Sequence, residues 1–287
     1  MKILVAGSRS FVGKNLSSYY SSREDCDLLF LSRDQVDLAD SIQFADQCRN
    51  FMPDLVIHSA VSLDSTNNNL AMYLALERAS QYYGKAIMIG SGAEYSHQRY
   101  KPNMPETYFS ENHPPENNQC YHLSKHIISR IHQYSAKKNI YNFRVFGLFG
   151  PHEDYKRRLI SNNIYNYLSK GVMQVNANHA FDYLYVKDLI MAIDFFASSN
   201  KVPDHKTYNV CTGRADRFFD ILSEVVIELG GSKSDIQISS QEPTSLVYSG
   251  DPSRFQNEFD YKIERTTYAK ASQDIKAWLQ QSNLITI

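Results

Sequence analysis

The chain has 287 residues, 43% of them hydrophobic and 21% charged, the balance of an ordinary folded protein. Lys and Arg number 30 against 31 Asp and Glu, so the net charge is −1, which excludes the broad basic field that nucleic acid or an anionic membrane requires. No stretch approaches the ~20 consecutive apolar residues of a membrane span, and Cys26, Cys48, Cys120 and Cys211 lie at none of the spacings of a zinc site. Reduced thiols, no metal and a cytoplasmic setting are therefore expected.

In the first half short apolar runs alternate with amphipathic stretches. Ile3–Ala6 predicts a buried strand, Phe11–Tyr20 a helix, Asp27–Leu31 a second strand and Ser41–Arg49 a helix. Leu55–His58 predicts a third strand after the turn pair Pro53-Asp54, Leu70–Tyr83 a helix and Ala86–Gly90 a fourth strand. Residues 97–119 hold Pro102, Pro105, Pro114 and Pro115 among Asn and Glu, too polar for a core element, and predict a long functional loop. Tyr121–Lys138 then predicts a helix and Asn142–Phe146 a fifth strand. Beyond Pro151 the rhythm loosens, with strands expected at Tyr183–Val186 and Tyr208–Val210 and helices at Phe218–Leu229 and Thr267–Gln280. Uniformly apolar strands, each followed by a helix, imply a parallel sheet with right-handed crossovers, an α/β fold of the doubly wound Rossmann type.

Two motifs carry chemistry. The first strand runs into Gly7-Ser8-Arg9-Ser10-Phe11-Val12-Gly13 and then a helix. Gly7 and Gly13 keep the outer positions of a glycine-rich dinucleotide loop, with Ser10 in the middle one; glycine lets the backbone approach a pyrophosphate held at the helix N-terminus. The second strand ends in Ser32-Arg33, where sites preferring NAD place an acid for the ribose 2′-hydroxyl. A hydroxyl and a guanidinium suit a 2′-phosphate instead, with Arg9 as a second cation, so NADP is expected.

The second motif is Tyr121-His122-Leu123-Ser124-Lys125, which puts a phenol and an ammonium on one helix face. A nearby cation lowers a phenol's pKa and makes it a usable proton donor. Tyr134/Lys138 and Tyr183/Lys187 share the spacing, the first at the far end of the same helix and the second on a strand, where i and i+4 lie too far apart. Only Tyr121 and Lys125 follow a strand-end serine, Ser91, placed to hydrogen-bond a substrate oxygen at the carboxyl edge of the sheet.

Together these residues resemble the extended short-chain dehydrogenase/reductases, the epimerase/dehydratase group acting on nucleotide sugars. The likeness runs through Val56-Ile57-His58-Ser59-Ala60, Arg144-Val145-Phe146-Gly147-Leu148-Phe149-Gly150-Pro151, Asp182–Asp188 and Tyr208–Gly213, and is nearest to GDP-fucose synthetase-like reductases. It implies Tyr121 as proton donor, Lys125 as ribose clamp and Ser91 as the donor to the keto oxygen. It further implies Asp37 and Leu38 beside adenine, Ser59, Ala60 and Val61 along the cofactor trough, and Val145 and Leu148 behind it. Gly92, Ala93 and Gly147 would meet the sugar. The family's Cys two residues after the serine is here Ala93, its dehydratases' Asp-Glu pair is Gly92-Ala93, and the synthetases' Asn is Gly147. The Arg that contacts the substrate diphosphate is Phe181, leaving Arg158, Lys170 or Arg214 for that task.

The resemblance therefore implies NADPH-dependent reduction of a nucleotide-linked 4-keto-6-deoxyhexose without epimerisation, feeding polysaccharide assembly. A 4-epimerase holding NAD and a non-catalytic NADP sensor stand as alternatives. The Rossmann domain is expected over 1–151 and about 182–216, and a smaller C-terminal substrate-binding lobe over about 152–181 and 217–287. A homodimer packed through Leu123–Tyr134 is also expected from the family, as is closure of the loop 97–119 over the sugar.

Overall fold

A computed structural model of the protein describes residues 1–111, 119–239 and 246–285. In chain order the elements are β1 (Lys2–Ala6), α1 (Phe11–Tyr20), β2 (Asp27–Leu31), α2 (Ser41–Phe51), β3 (Leu55–His58), α3 (Thr66–Arg78), β4 (Lys85–Ser91), α4 (Cys120–Tyr134), β5 (Ile140–Val145) and β6 (Gly147–Phe149). There follow α5 (Leu159–Lys170), β7 (Met173–Val175), β8 (Ala180–Phe181), β9 (Tyr183–Tyr185), α6 (Val186–Ser198), β10 (Thr207–Asn209) and β11 (Asp216–Arg217). The last are α7 (Phe218–Glu228), β12 (Ile236–Ile238), β13 (Val247–Tyr248), α8 (Ser253–Phe259) and α9 (Tyr268–Gln281).

Six strands form one parallel sheet in the order β10-β5-β4-β3-β1-β2. Because successive side chains point to opposite faces of a strand, β1 splits its residues between two cores. Ile3 and Val5 pack with Leu16 of α1 and Ile193 of α6, whereas Leu4 and Ala6 pack with Phe44 of α2, Leu76 of α3 and Ile128 of α4. The strand order reverses direction at β1, with β2 on one side and β3 on the other, so the crevice beyond their carboxyl ends is the place where a doubly wound sheet binds its ligand. A small sheet, β11-β8-β13, stands over the carboxyl end of β4 and belongs to the C-terminal half.

Local chemistry fixes the element ends. Ser10 caps α1 by accepting from the Gly13 N–H, Asp40 caps α2 through Ile42 and Gln43, and Ser65 caps α3 through Asn68. The helix expected to reach Lys138 stops at Tyr134, because Ser135 leaves the helical region at φ −61°, ψ 138°. Tyr134 and Lys138 therefore do not share a helix face. Within α4, Ile128 and His132 turn into the protein, while Ile131 and Tyr134 stay exposed. The expected loop is partly built: 3-10 turns occupy His97–Arg99 and Glu106–Glu111, and Met104 and Phe109 are buried. Residues 112–118 of that loop lie outside the described residues.

Glu153, in the turn after β6, is a buried carboxyl 2.5 Å from Ser161 Oγ, and burial pushes its pKa up from 4.5 to about 8. Between those values the folded state keeps a proton that the unfolded state has lost, so its contribution to stability falls as pH rises through that window. Glu153→Gln should melt several degrees above the wild type at pH 8, and the gap should close toward pH 5. Thermal unfolding followed by circular dichroism across that range checks this.

Candidate active site

The glycine loop is held by the sheet. The N–H groups of Gly7 and Ser8 both donate to the Leu31 carbonyl, at 2.9 and 3.0 Å. Gly7 has φ +90°, and a Cβ there would stand 2.5 Å from Ala60 N; one on Gly13 would stand 2.1 Å from Gly7 O. At these two positions of the loop only glycine fits. Ser10 Oγ also donates to Ser59 Oγ at 3.0 Å, so Ser59, itself buried, braces the loop from β3. Val12 and Val145 spend their side chains on the core, and Leu148 packs against it.

Beyond this loop lies a groove lined among others by Gly7, Ser10, Ser32, Asp37, Ala60 and Val61. Leu38, Arg9 and Arg33 also face it. Its tight backbone, the helix N-terminus and its length along three strand ends fit a dinucleotide. At the rim Arg33 is exposed, and Arg9 forms an ion pair with Asp34. Ser32 Oγ donates to Gln35 Oε1 at 2.9 Å, so its hydroxyl is engaged within the turn.

A second pocket shares Ala60 and Val61 with this groove and is lined by His58 and by Lys125 of α4, the helix that also carries Tyr121. Lys125 Nζ donates to the Ile89 carbonyl at 2.6 Å and sits 5.8 Å from the Tyr121 ring centre, so this turn of the helix is tied to β4 two residues before Ser91. Beside it His58 is buried, and burial with the charge of Lys125 pushes its pKa down to about 4, so it is a neutral imidazole. Its Nε2 has no hydrogen-bond partner among the described residues. Ser91 ends β4, and its Oγ accepts from Ala93 N at 3.1 Å, which leaves the hydroxyl proton to donate outward. The chemistry of the set is that of a phenol donor, a cation and a directed hydroxyl at one sheet edge.

Sequence reasoning missed what holds Ser91 in place. Glu94, buried, accepts from the Ser91 N–H at 3.1 Å, from Ser129 Oγ of α4 at 2.5 Å and from Arg144 Nε of β5 at 2.7 Å. Arg144 in turn reaches Tyr95 Oη at 2.6 Å. Burial raises the Glu94 carboxyl, but Arg144 and these donors outweigh it and hold it below the usual range. The Ser91-x-x-Glu94 spacing of a capping box was the available signal.

The substrate side is aromatic. Tyr248 of β13 lies over Gly92, with Tyr100 at 4.3 Å, Phe146 at 5.0 Å and Phe181 at 5.1 Å between ring centres. Ala93 is buried beside it. A side chain at Gly147 would meet the Tyr183 ring at 2.7 Å, so the position has no room for the family's Asn. Of the three candidate cations, Arg158 begins α5 close enough to act on Glu153 and Tyr183. Arg214 pairs with Asp216, the residue in register with Phe181. Lys170 ends α5, roughly 18 Å along the axis from Arg158 at 1.5 Å per residue, so the structure does not bring it to the others.

Residues 3–211 match the NAD dependent epimerase/dehydratase family, and the chain belongs to it. A curated relative, the GDP-6-deoxy-D-talose 4-dehydrogenase of Aggregatibacter actinomycetemcomitans, is 22% identical over 92% of this chain and 93% of its own. Among solved structures, a GDP-L-fucose synthetase from Naegleria fowleri bound to NADP superposes with a TM-score of 0.81 at 15% identity, covering 99% of this chain and 95% of that one. A GDP-6-OMe-4-keto-L-xylo-heptose reductase from C. jejuni gives 0.75 at 15% identity, covering 98% of each. The family acts on nucleotide sugars with a nicotinamide cofactor.

Glu94→Ala should leave the Arg144 guanidinium buried without its partner and cost about 3–5 kcal/mol. Urea denaturation checks this, and an unchanged midpoint would remove the pair from its supporting role.

Proposed function

We propose that the protein reduces the 4-keto group of a nucleotide-linked 4-keto-6-deoxyhexose to the 6-deoxysugar, using NADPH and without epimerising the ring. The observation that carries this reading is the pairing of Ser91, Tyr121 and Lys125 at one sheet edge with Gly92 and Ala93 next in the chain. Neither of those two residues can take a proton from carbon, so elimination of water and the synthetase-type epimerisation both lack their acid/base group. Reduction of a ketone needs only the proton of Tyr121; a 4-epimerase would use the same three residues, and Ser32-Arg33 in place of an acid speaks against its NAD. The relative's action on a GDP-6-deoxysugar at carbon 4 supports the same chemistry and points to GDP as the first base to try.

In this reading Gly7–Gly13 and the start of α1 hold the pyrophosphate, and Asp37 and Leu38 flank the adenine. Ser59, Ala60 and Val61 line the middle of the trough. Arg33 and Arg9 meet the 2′-phosphate, with Arg9 exchanging Asp34 for it. When bound, the reduced nicotinamide supplies a hydride. Tyr121 gives its proton to the keto oxygen, Lys125 steadies the phenol from the same helix face, and Ser91 directs its hydroxyl at the developing charge. Arg158 and Arg214 are the cations left for the substrate diphosphate. Residues 152–181 and 217–287 form the substrate lobe.

The assay is loss of nicotinamide absorbance with 4-keto-6-deoxy sugars on GDP, dTDP, CDP and UDP, with NADPH and NADH in parallel. Turnover of at least one sugar with NADPH preferred is expected; none with any of the four overturns the reading. Tyr121→Phe should abolish turnover while NADPH still binds, measured by quenching of intrinsic fluorescence. A fully active variant would take Tyr121 out of its role. Arg33→Ala should raise the KM for NADPH by roughly tenfold or more, the scale of one charge-assisted contact, and leave that for NADH nearly unchanged.

A further inference from the structure

Directly after the candidate catalytic serine the chain has no side chain, and the space is taken by a residue 156 positions later. A Cβ placed on Gly92 would stand 2.1 Å from Tyr248 Oη and 2.8 Å from both its Cζ and Phe146 Cδ1. The phenol oxygen of Tyr248 therefore fills the notch at position 92. It is brought there by β13, which pairs with β8 and places Tyr248 in register with Phe181. The ring is clamped by Tyr100, Phe146 and Phe181 and is 5% exposed.

Tyr121 lies close enough to couple electrostatically with both Tyr248 and Tyr100, so the two phenols are neighbours. Burial pushes the Tyr248 pKa well up, and nearby Tyr100, Tyr121 and Glu94 add to the shift, so the hydroxyl keeps its proton. That hydroxyl shares a side-chain hydrogen bond with Tyr100 and, with one donor and more than one acceptor site, keeps capacity for a further partner one residue from Ser91.

We propose that Tyr248, seated in the notch left by Gly92, is a substrate-binding residue that hydrogen-bonds a hydroxyl of the hexose beside the reacting carbon and so selects the sugar. The proposal rests on the nucleotide-sugar reading of the same site and adds to it the residue that reads the sugar. Gly92 is then required for space: any side chain there evicts the phenol. A contact of this kind is made alike in the ground and transition states, so its loss appears in KM and not in kcat.

The test uses NADPH-saturated protein and a GDP-linked 4-keto-6-deoxyhexose. Tyr248→Phe keeps the ring and its packing, and should raise the sugar KM roughly three- to tenfold, the worth of one neutral hydrogen bond. The values of kcat, the KM for NADPH and Tm should stay unchanged, whereas a purely structural role would lower Tm. Gly92→Ala should raise the sugar KM at least as far. The double variant should lose no more than Gly92→Ala alone, since both changes remove one contact. An unchanged sugar KM in Tyr248→Phe, or losses that multiply in the double variant, would overturn the proposal. If the wild type turns over no ketosugar, the reductase reading falls alone, and the comparison is made on the Kd of the nucleotide sugar by calorimetry. Weaker binding by Tyr248→Phe then supports the contact; equal binding, or none by the wild type, ends it.

Discussion

The candidate active site depends on one buried ion pair. Glu94 and Arg144 are both closed to solvent and lie 2.7 Å apart, in a setting where either charge alone would be expensive. The carboxylate has three kinds of partner: the backbone of Ser91, a hydroxyl on α4 and a guanidinium on β5. One side chain thus fixes the end of β4, the helix that carries Tyr121 and the neighbouring strand relative to one another. Asn142 adds a fourth donor from β5, at 3.2 Å. The candidate serine is held in that network through its backbone, which leaves its hydroxyl outside it.

The sheet half of the molecule was legible because its physics is local. Runs such as Ile3–Ala6 and Leu55–His58 are apolar on both faces, and β3 falls on the residues expected, as do α1 and β2. The glycine loop was readable for the same reason: Gly7 and Gly13 answer to backbone clashes a few residues away. The C-terminal half resisted. Strands β8, β11 and β13 are two residues long and exist only through their pairing with one another, so no periodicity announces them. Helix α6 begins at once after β9 with no side-chain cap, which hid its start.

Within the site the same division holds. Tyr121 and Lys125 sit one helical turn apart and declared themselves by spacing. Tyr248 carries no local signal, because its importance comes from a glycine far away in sequence. Gly92 and Gly147 were visible only as residues missing from a pattern. In the structure each gap is filled by a tyrosine from the opposite side, Tyr248 in the first and Tyr183 in the second.

The segment between Ser91 and Tyr121 is not a free connection. Met104 N donates to the Ser249 carbonyl and Asp251 N to that of Met104, while Asn103 N donates to Ser249 Oγ, so this stretch is laced to the chain just after Tyr248. Asn209 of the edge strand donates to the Met104 carbonyl from below. The stretch joining Ser91 to Tyr121 is therefore riveted, at Asn103 and Met104, to the part of the protein that carries Tyr248. Prising that part away would drag the stretch with it, and the spacing between hydroxyl and phenol would change in the same stroke.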